Sequence, residues 1–249
     1  MKDFIDPTIA SLLAQHQLDS FTALWNLQLD AVDEANARGN GWSSVAKLTL
    51  GERIFYIKRQ ANYLTRTLHK PFGEPTFARE MRNIQRYQKL GIPALNAAYF
   101  AQRKVNGEQR AILITHALEG WHDLAHWQTQ WQELSNEQQQ GIVQACAKLA
   151  KTLHEAKQVH GCFYPKHIFL QKQATGFTAQ LIDLEKTRPI LLGRRDRIKD
   201  LEPLFRRSQV VWGREQTQLF LQNYLDKCDE IPYWMERLEA RRKHKESRA

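Results

Sequence analysis

The chain has 249 residues, of which 42% are hydrophobic and 25% are charged, and its formal net charge at pH 7 is +9. These values are typical of a globular protein and exclude a fibrous or wholly disordered chain. The length suits one folded unit in which two lobes each bury a core.

The sequence contains no apolar run of the length that spans a bilayer. Residues 1–18 carry acids where a secretory signal would be basic and then apolar. The three cysteines, Cys146, Cys162 and Cys228, have no CxxC spacing, which excludes a disulfide framework and a zinc site. We therefore expect a cytoplasmic protein with free thiols.

The positive charge is concentrated near the C-terminal end of the chain. Such charge favours polyanionic partners, namely a phosphorylated glycolipid, an anionic membrane surface or nucleic acid. Nucleic acid is not expected, because no zinc spacing, recognition helix or RNP-like aromatic motif accompanies the charge. The alternative is a solvated basic surface with a frayed tail. The basic residues are Arg194, Arg195, Arg197, Lys199, Arg206, Arg207 and the run from Arg241 to Lys245.

The first half of the chain has the pattern of a small antiparallel sheet with one helix. Residues 42–58 read as two strands joined by a tight turn at Gly51-Glu52, with the second strand ending at Lys58. Residues 76–90 have apolar side chains at intervals of three and four, as an amphipathic helix requires. Residues 97–100 and 111–117 flank the turn Asn106-Gly107 and add further strands.

The second half is mainly helical. Residues 136–157 carry a continuous apolar stripe at helical spacing, and residues 197–238 are also predominantly helical in pattern. Between them, residues 168–170 and 179–183 read as a hairpin that ends at Asp183.

The order of chemically suitable residues is that of a protein kinase. Phosphoryl transfer needs a cation on the nucleotide phosphates, carboxylates on magnesium and a group that orients the acceptor hydroxyl. A glycine-containing turn, with Gly39, Gly41, Ser43 and Ser44 as candidate phosphate-binding residues, precedes the first strand. Lys58 and the helical Glu80 follow it. Residues 160–170 and then 181–185 are similar to a kinase catalytic loop and its magnesium-binding triplet.

These segments closely resemble the InaA proteins, which are grouped with the WaaP-type kinases that phosphorylate core heptose in lipopolysaccharide. The resemblance covers roughly residues 39–205. It implies an α+β, bilobal, protein-kinase-like fold with a reduced C-terminal part of the large lobe. The matching stretches are Lys58-Arg59, Pro71-Phe72-Gly73, Arg79-Glu80, His160-Gly161-Cys162-Phe163-Tyr164, His167-Ile168 and Asp183-Leu184-Glu185-Lys186.

The resemblance also implies roles for the residues of the site, with ATP and Mg²⁺ as cofactors. Lys58 would hold the α and β phosphates, Glu80 would pair with Lys58, and Asp183 would bind magnesium. His160 would be a structural histidine of the loop. His167 stands where most kinases have the asparagine for a second magnesium, so it is either a metal contact or a structural hydrogen-bonding residue.

Cys162 departs from the pattern, because it occupies the position of the catalytic aspartate. A neutral thiol cannot act as a carboxylate base. Either Glu185 or Asp200 replaces that base, or the enzyme is slow, or the domain binds nucleotide without transferring phosphate. Glu185 is equally well explained as an exposed charge paired with Lys186 or Arg188, and Asp200 resembles the buried acid that braces the loop.

We therefore expect a single kinase-like domain over residues 1–249, with a small lobe at about 20–118, a large lobe at about 119–240 and a basic tail at 241–249. The first functional hypothesis is an ATP- and magnesium-dependent phosphotransferase that acts on the lipopolysaccharide core or another anionic glycolipid, in peripheral contact with the inner face of the inner membrane. The second is a nucleotide-binding pseudokinase or regulator of the acid-stress response. The sequence does not specify the oligomeric state.

Overall fold

The computed structural model describes residues 2–32, 36–38, 40–67 and 70–247. The chain divides into two compact units. Unit 1 comprises Met1–Arg86 and Leu95–Glu119, and unit 2 comprises Tyr87–Ala94 and Gly120–Ala249. The division of the chain into one domain with two lobes and a tail stays a prediction.

Unit 1 is built on an antiparallel sheet with the strand order β1-β7-β8-β4-β3-β2. A separate hairpin of β5 and β6 leads directly into helix α3, whose last turn belongs to unit 2. The elements are β1 (Phe4–Ile5), α1 (Ala10–Gln15), α2 (Phe21–Asn26), β2 (Asn36–Arg38), β3 (Gly41–Leu50), β4 (Arg53–Ala61), β5 (Leu64–Thr67), β6 (Lys70–Pro75), α3 (Thr76–Leu90), β7 (Ala97–Val105) and β8 (Glu108–His116).

Helices α1 and α2 were not predicted from the sequence. They contribute Leu13 and Leu24 to a buried apolar cluster with Leu48, Ile57 and Ile112 of the sheet. The sheet strands alternate buried and more exposed residues, as a sheet with a covered face requires. The two short helices therefore cover apolar side chains of the sheet.

Unit 2 consists mainly of helices, as the sequence predicts for the second half of the chain. Helix α5 is its central element, since nine of its residues are buried and a capping box of Ser135 and Gln138 fixes its start. The elements are β9 (His122–Asp123), α4 (Leu124–Thr129), α5 (Asn136–Glu155), β10 (Gln158–Val159), β11 (Ile168–Lys172), β12 (Phe177–Leu181), β13 (Arg188–Pro189), α6 (Arg194–Ser208), α7 (Arg214–Tyr224) and α8 (Ile231–Glu246).

Two small sheets position the loops of unit 2. The order β12-β11-β9 forms one sheet and the pair β10-β13 forms the other, with antiparallel pairing throughout. The segment between β10 and β11 contains the predicted catalytic loop, and the segment between β12 and β13 contains Asp183. Each functional segment is therefore anchored at both ends by a strand.

Two sequence-based boundaries differ from the structure. Strand β4 continues past Lys58 to Ala61. Residues 241–246, the first part of the predicted tail, are the last turns of α8. Among the described residues, no helix is both long enough and apolar enough to cross a membrane.

Asp196 fixes the turn that connects β13 to α6. Its Oδ2 accepts hydrogen bonds from the backbone N–H groups of Leu191 and Leu192 at 2.8 and 2.9 Å. Arg188 donates to both carboxylate oxygens, at 2.8 and 3.1 Å. The Arg188 guanidinium holds the pKa of Asp196 well below its ordinary value; burial opposes this shift, and the two backbone donors add to it.

We predict that Asp196→Ala lowers the free energy of unfolding by about 2 kcal/mol at neutral pH, because the donors of four hydrogen bonds lose their acceptor. The pKa of Asp196 is lower in the folded state than in the unfolded chain, so the carboxylate stabilises the fold above the ordinary aspartate pKa of 3.8. This contribution falls as the pH decreases below that value. Urea unfolding at neutral pH and at about pH 3 should show the difference from the wild type shrinking in acid.

The matched control is Asp226→Ala, since Asp226 pairs with Lys151 at 2.7 Å but its side chain is mostly exposed. We expect little change in stability from that substitution. An Asp196→Ala protein as stable as the wild type at neutral pH would contradict the role assigned to this carboxylate.

Candidate functional site

Lys58 and Glu80 form a buried ion pair in unit 1. Lys58 lies on β4, opposite Val45 of β3 and Leu113 of β8, while Glu80 lies in the second turn of α3. The Lys58 Nζ is 2.7 Å from the Glu80 Oε1, and the Glu80 side chain is only 1% exposed. A buried carboxylate requires such a partner, because an uncompensated charge in the interior is costly. The pair therefore fixes the ammonium group relative to the sheet.

Only part of the glycine-containing segment is the turn that the sequence predicts, because Asn40 lies in a turn between β2 and β3. Gly41 to Ser44 lie within β3 and pair with the preceding strand β2 and with β4. Strand β2 was not recognised, which is why the segment read as a turn before the first strand. Gly41 has a local packing reason to be glycine, since a Cβ there would lie 2.4 Å from the backbone oxygen of Asn62. Gly39 lies outside the described residues.

In unit 2, Asp200 of α6 holds the backbone of the predicted catalytic loop. Its Oδ2 accepts from the backbone N–H of His160 at 2.8 Å, and its Oδ1 accepts from that of Gly161 at 2.7 Å. The His154 Nε2 lies 3.2 Å from the same Oδ2. Burial alone raises the pKa of Asp200, but these hydrogen bonds outweigh it and keep the pKa below its ordinary value. The bracing role suggested by the sequence is confirmed.

His160 joins the loop to the segment that carries Asp183. Its Nε2 donates to the backbone oxygen of Ile182 at 2.9 Å, and its Nδ1 accepts from the backbone N–H of Cys162 at 3.3 Å. Because a carbonyl oxygen only accepts, Nε2 carries the ring proton. Both ring nitrogens are occupied within the loop, which suits the structural role expected for this histidine.

His167 and Asp183 are in direct contact in unit 2. The His167 Nδ1 donates to the backbone oxygen of Cys162 at 2.9 Å, so Nε2 is the nitrogen that can bind a ligand. This Nε2 lies 3.3 Å from the Asp183 Oδ2. Burial lowers the pKa of His167 to about 4, although Asp183 opposes the shift. The ring is therefore neutral at pH 7, and an electron pair faces a carboxylate oxygen.

A magnesium ion fits this donor set through Asp183. Hard Mg²⁺ prefers oxygen ligands, keeps several of its waters and needs only one or two carboxylates. Asp183 has a left-handed backbone conformation with φ of 60°, and its side chain is 32% exposed. No group of three or more metal-ligating side chains occurs among the described residues. The site would thus depend on Asp183, with phosphate oxygens and water as the other ligands.

Cys162 is a buried thiol inside the loop. The residue is 5% exposed. Burial raises the pKa of this thiol, and hydrogen bonds with the Lys186 and Tyr164 side chains offset the effect only in part. The sulfur therefore remains protonated at pH 7 and does not supply the negative charge of an aspartate.

Lys186 is the neighbour that sequence reasoning did not assign to the site. Gly161 permits its approach, because Gly161 has a φ of 81° and a Cβ there would lie 2.7 Å from the backbone oxygen of Lys186. The sequence carries no signal for this contact, because Gly161 and Lys186 belong to separate segments of the chain. Glu185, the residue before it, has its Oε1 4.0 Å from the Lys186 Nζ and a side chain that is 29% exposed.

The structure thus groups the predicted residues within each unit. Lys58 and Glu80 are in direct contact in unit 1. In unit 2, hydrogen bonds link His160, Cys162 and His167, and the His167 Nε2 lies 3.3 Å from the Asp183 Oδ2. Glu185 follows Asp183 in the short 3-10 turn Leu184–Lys186.

Comparisons with known proteins identify the family and the fold. The sequence model of the lipopolysaccharide kinase (Kdo/WaaP) family matches residues 22–224. Protein InaA of Escherichia coli (strain K12) is 33% identical over 181 residues, which cover 72% of this chain and 82% of InaA. A solved structure of WaaP in complex with acyl carrier protein matches with a TM-score of 0.74 at 20% identity, over 100% of this chain and 99% of that one.

The structural likeness shows the fold, and the sequence matches show the family. The predicted α+β, protein-kinase-like fold is confirmed, with its antiparallel sheet and its predominantly helical second half. The chain belongs to the lipopolysaccharide kinase (Kdo/WaaP) family and is a relative of InaA.

Proposed function

We propose that this chain is an ATP- and Mg²⁺-dependent phosphotransferase that phosphorylates a hydroxyl group of a lipopolysaccharide core sugar. The observation that carries the proposal is the buried Lys58–Glu80 ion pair at 2.7 Å. Lys58 is a cation on β4 held by a second charge, and the proposal assigns it the role of the lysine that binds phosphate in a kinase. The family membership supports the acceptor class.

Lys58 and Glu80 would serve nucleotide binding. The ammonium group of Lys58 would contact phosphate oxygens, and Glu80 would keep it from adopting other rotamers. Such positioning matters because catalysis of phosphoryl transfer consists almost entirely of placement and charge stabilisation. Ser43 and Ser44 lie on β3 beside the Lys58 strand, with Ser44 opposite Arg59 and Ser43 opposite Gln60. With Gly41, they remain candidate phosphate contacts.

Asp183 would hold the magnesium ion, which when bound neutralises charge on the phosphate oxygens. His167 would orient that carboxylate or contribute its neutral Nε2 to the ion. The hydrogen bond from Nδ1 to the Cys162 backbone oxygen fixes the tautomer that such a contact requires. His160 would keep Asp183 in position through its bond to Ile182.

Proton removal from the acceptor cannot be assigned to Asp200. Both of its oxygens accept hydrogen bonds from the loop backbone, and the residue is buried. Of the two replacement acids considered from the sequence, Glu185 therefore remains. It would act as the general base, or the reaction would proceed slowly without one, since proton removal is often late in a loose phosphoryl-transfer transition state.

The cellular setting follows from the cofactor and the acceptor class. ATP is supplied in the cytoplasm, so the reaction would take place at the cytoplasmic face of the inner membrane, where the glycolipid acceptor is also anchored. Peripheral contact with that membrane would bring the enzyme to its acceptor.

We predict that the purified chain, given ATP, Mg²⁺ and dephosphorylated core acceptor, forms phosphorylated sugar. Asp183→Ala should reduce turnover by at least about a thousandfold, because the metal loses its carboxylate ligand. Transfer of radiolabelled phosphate to the acceptor measures both proteins. Asp226→Ala, which removes an exposed carboxylate of the same unit, is the control and should retain activity. Undiminished product from Asp183→Ala would defeat the assignment.

A second candidate function is a nucleotide-binding pseudokinase or stress-response regulator. The neutral, buried thiol of Cys162 at the position of the usual base favours it. In that case the chain would bind ATP but would not transfer phosphate, and the InaA-like fold would act as a scaffold.

Cys162→Asp distinguishes the two functions. If the chain is a pseudokinase, we predict that the restored carboxylate raises turnover by about a hundredfold or more, while ATP affinity stays unchanged. If Glu185 is the base, Glu185→Gln removes turnover and Cys162→Asp does not increase it. Cys162→Ser is the size-matched control for the first variant. Steady-state kinetics and nucleotide titration, run on all of these proteins, separate catalytic from binding effects.

A further inference from the structure

Two adjacent leucines of unit 2 project into solvent. Leu191 is 77% exposed and Leu192 is 58% exposed. They lie in the turn between β13 and α6, beside Gly193, which has a φ of 49°. A single exposed leucine is ordinary, but two large apolar side chains at the tip of one turn call for an explanation.

The turn is held in place rather than loosely attached. Asp196 accepts hydrogen bonds from the backbone N–H groups of both leucines and is itself only 4% exposed. Arg188 locks this carboxylate through two hydrogen bonds. The fold thus fixes the backbone of the turn while leaving the leucine side chains uncovered, so a partner that binds them pays little ordering entropy.

Basic residues follow the leucines at the start of α6, and one of them faces Tyr233 of α8. The Arg194 guanidinium lies 5.8 Å from the centre of the Tyr233 ring. The guanidinium of Arg237, which lies on the same helix as Tyr233, is 5.5 Å from the centre of that ring. Arg194 also pairs with Glu230 at 2.7 Å. A groove of about 410 Å³ between α6 and α8 continues this surface; its lining residues are Arg195, Ile198, Tyr233, Arg237, Ala240, Arg241 and His244.

We propose that this surface, formed by Leu191, Leu192, Tyr233 and the arginines of α6 and α8, docks the protein on an anionic phospholipid bilayer. The leucines would enter the acyl region, Tyr233 would lie at the headgroup level, and Arg195, Arg237 and Arg241 would contact lipid phosphates. The combination of an apolar tip with a cationic rim distinguishes a membrane from nucleic acid, which would use the cations but gain nothing from exposed leucines.

The surface lies in the same unit as Asp183 and the predicted catalytic loop, so docking would bring these residues to a membrane. This step rests on the proposed function. The same chain segment runs from Asp183 through β13 to the leucine turn. Strand β13 pairs with β10, which directly precedes the loop of His160 and Cys162. Docking would therefore present the loop of His160 and Cys162 to a substrate that is itself embedded in a membrane.

The test is cosedimentation with vesicles in the absence of nucleotide, so that its result does not depend on phosphoryl transfer. We predict binding to phosphatidylcholine vesicles that contain about 30 mol% phosphatidylglycerol and at least tenfold weaker binding to pure phosphatidylcholine. Raising the salt from about 50 to about 300 mM should weaken binding to the anionic vesicles. Leu191→Ser/Leu192→Ser should weaken that binding by roughly tenfold or more at either salt concentration.

Two matched controls identify the surface. Val210→Ser removes an isolated valine of unit 2 that is 91% exposed, and it should leave binding unchanged. Arg195→Gln/Arg237→Gln/Arg241→Gln should weaken binding and flatten its salt dependence. Lys47→Gln/Lys104→Gln/Lys172→Gln removes the same charge from exposed positions elsewhere and should have a much smaller effect.

Equal vesicle binding by the leucine double variant and the wild type would overturn the proposal, and so would equal effects of the two charge triplets. Light scattering provides a further check. If the wild type is a dimer that the leucine substitutions dissociate, a second copy of the chain covers these residues and the membrane assignment is wrong. Melting temperatures of all variants, measured in the same buffers, exclude unfolding as the cause of lost binding.

Discussion

The arrangement of unit 2 depends on one buried carboxylate. Asp200 carries its charge in the interior, where it is tolerated only because two loop N–H groups and His154 donate to it. This requirement fixes the start of the loop. From there, His160 positions the residue before Asp183, and the Cys162 backbone oxygen sets the tautomer of His167. A loop whose regular structure is limited to the 3-10 turn Pro165–His167 thus gains the rigidity that a catalytic site needs.

Asp200 braces this loop, and the side chain at its centre is Cys162. In place of a carboxylate, Cys162 offers a neutral thiol near Lys186. In the proposed function, nucleotide and metal binding would depend on other residues, namely Lys58, Glu80 and Asp183, so binding and transfer would be separable properties of this chain. The membrane-docking surface is a third, independent property, because Asp196 and not Asp200 fixes its backbone.

Much of the site could be predicted from the sequence, since its signals are local. Lys58 follows a run of four apolar and aromatic residues at 54–57, and Glu80 lies on a helix whose period is evident over residues 76–90. Strand β2 and helices α1 and α2 escaped prediction because short elements gain their stability from tertiary contacts rather than from their own sequence. The contacts of Lys186 with Cys162 and of Asp196 with the leucine turn join separate segments, and spacing alone does not reveal such contacts.

Nucleotide binding by Lys58 and Asp183 is tested most directly by calorimetric titration with a non-hydrolysable ATP analogue, with and without Mg²⁺. We expect Mg²⁺-dependent binding that weakens at least about tenfold in Lys58→Met. The control Lys47→Met, which alters an exposed lysine of β3, should bind normally. Because Lys58→Met leaves Glu80 uncompensated, Asp183→Asn serves as a second variant and should lose the Mg²⁺ dependence. Wild-type affinity and Mg²⁺ dependence in both variants would contradict the roles assigned to Lys58 in nucleotide binding and to Asp183 in metal binding.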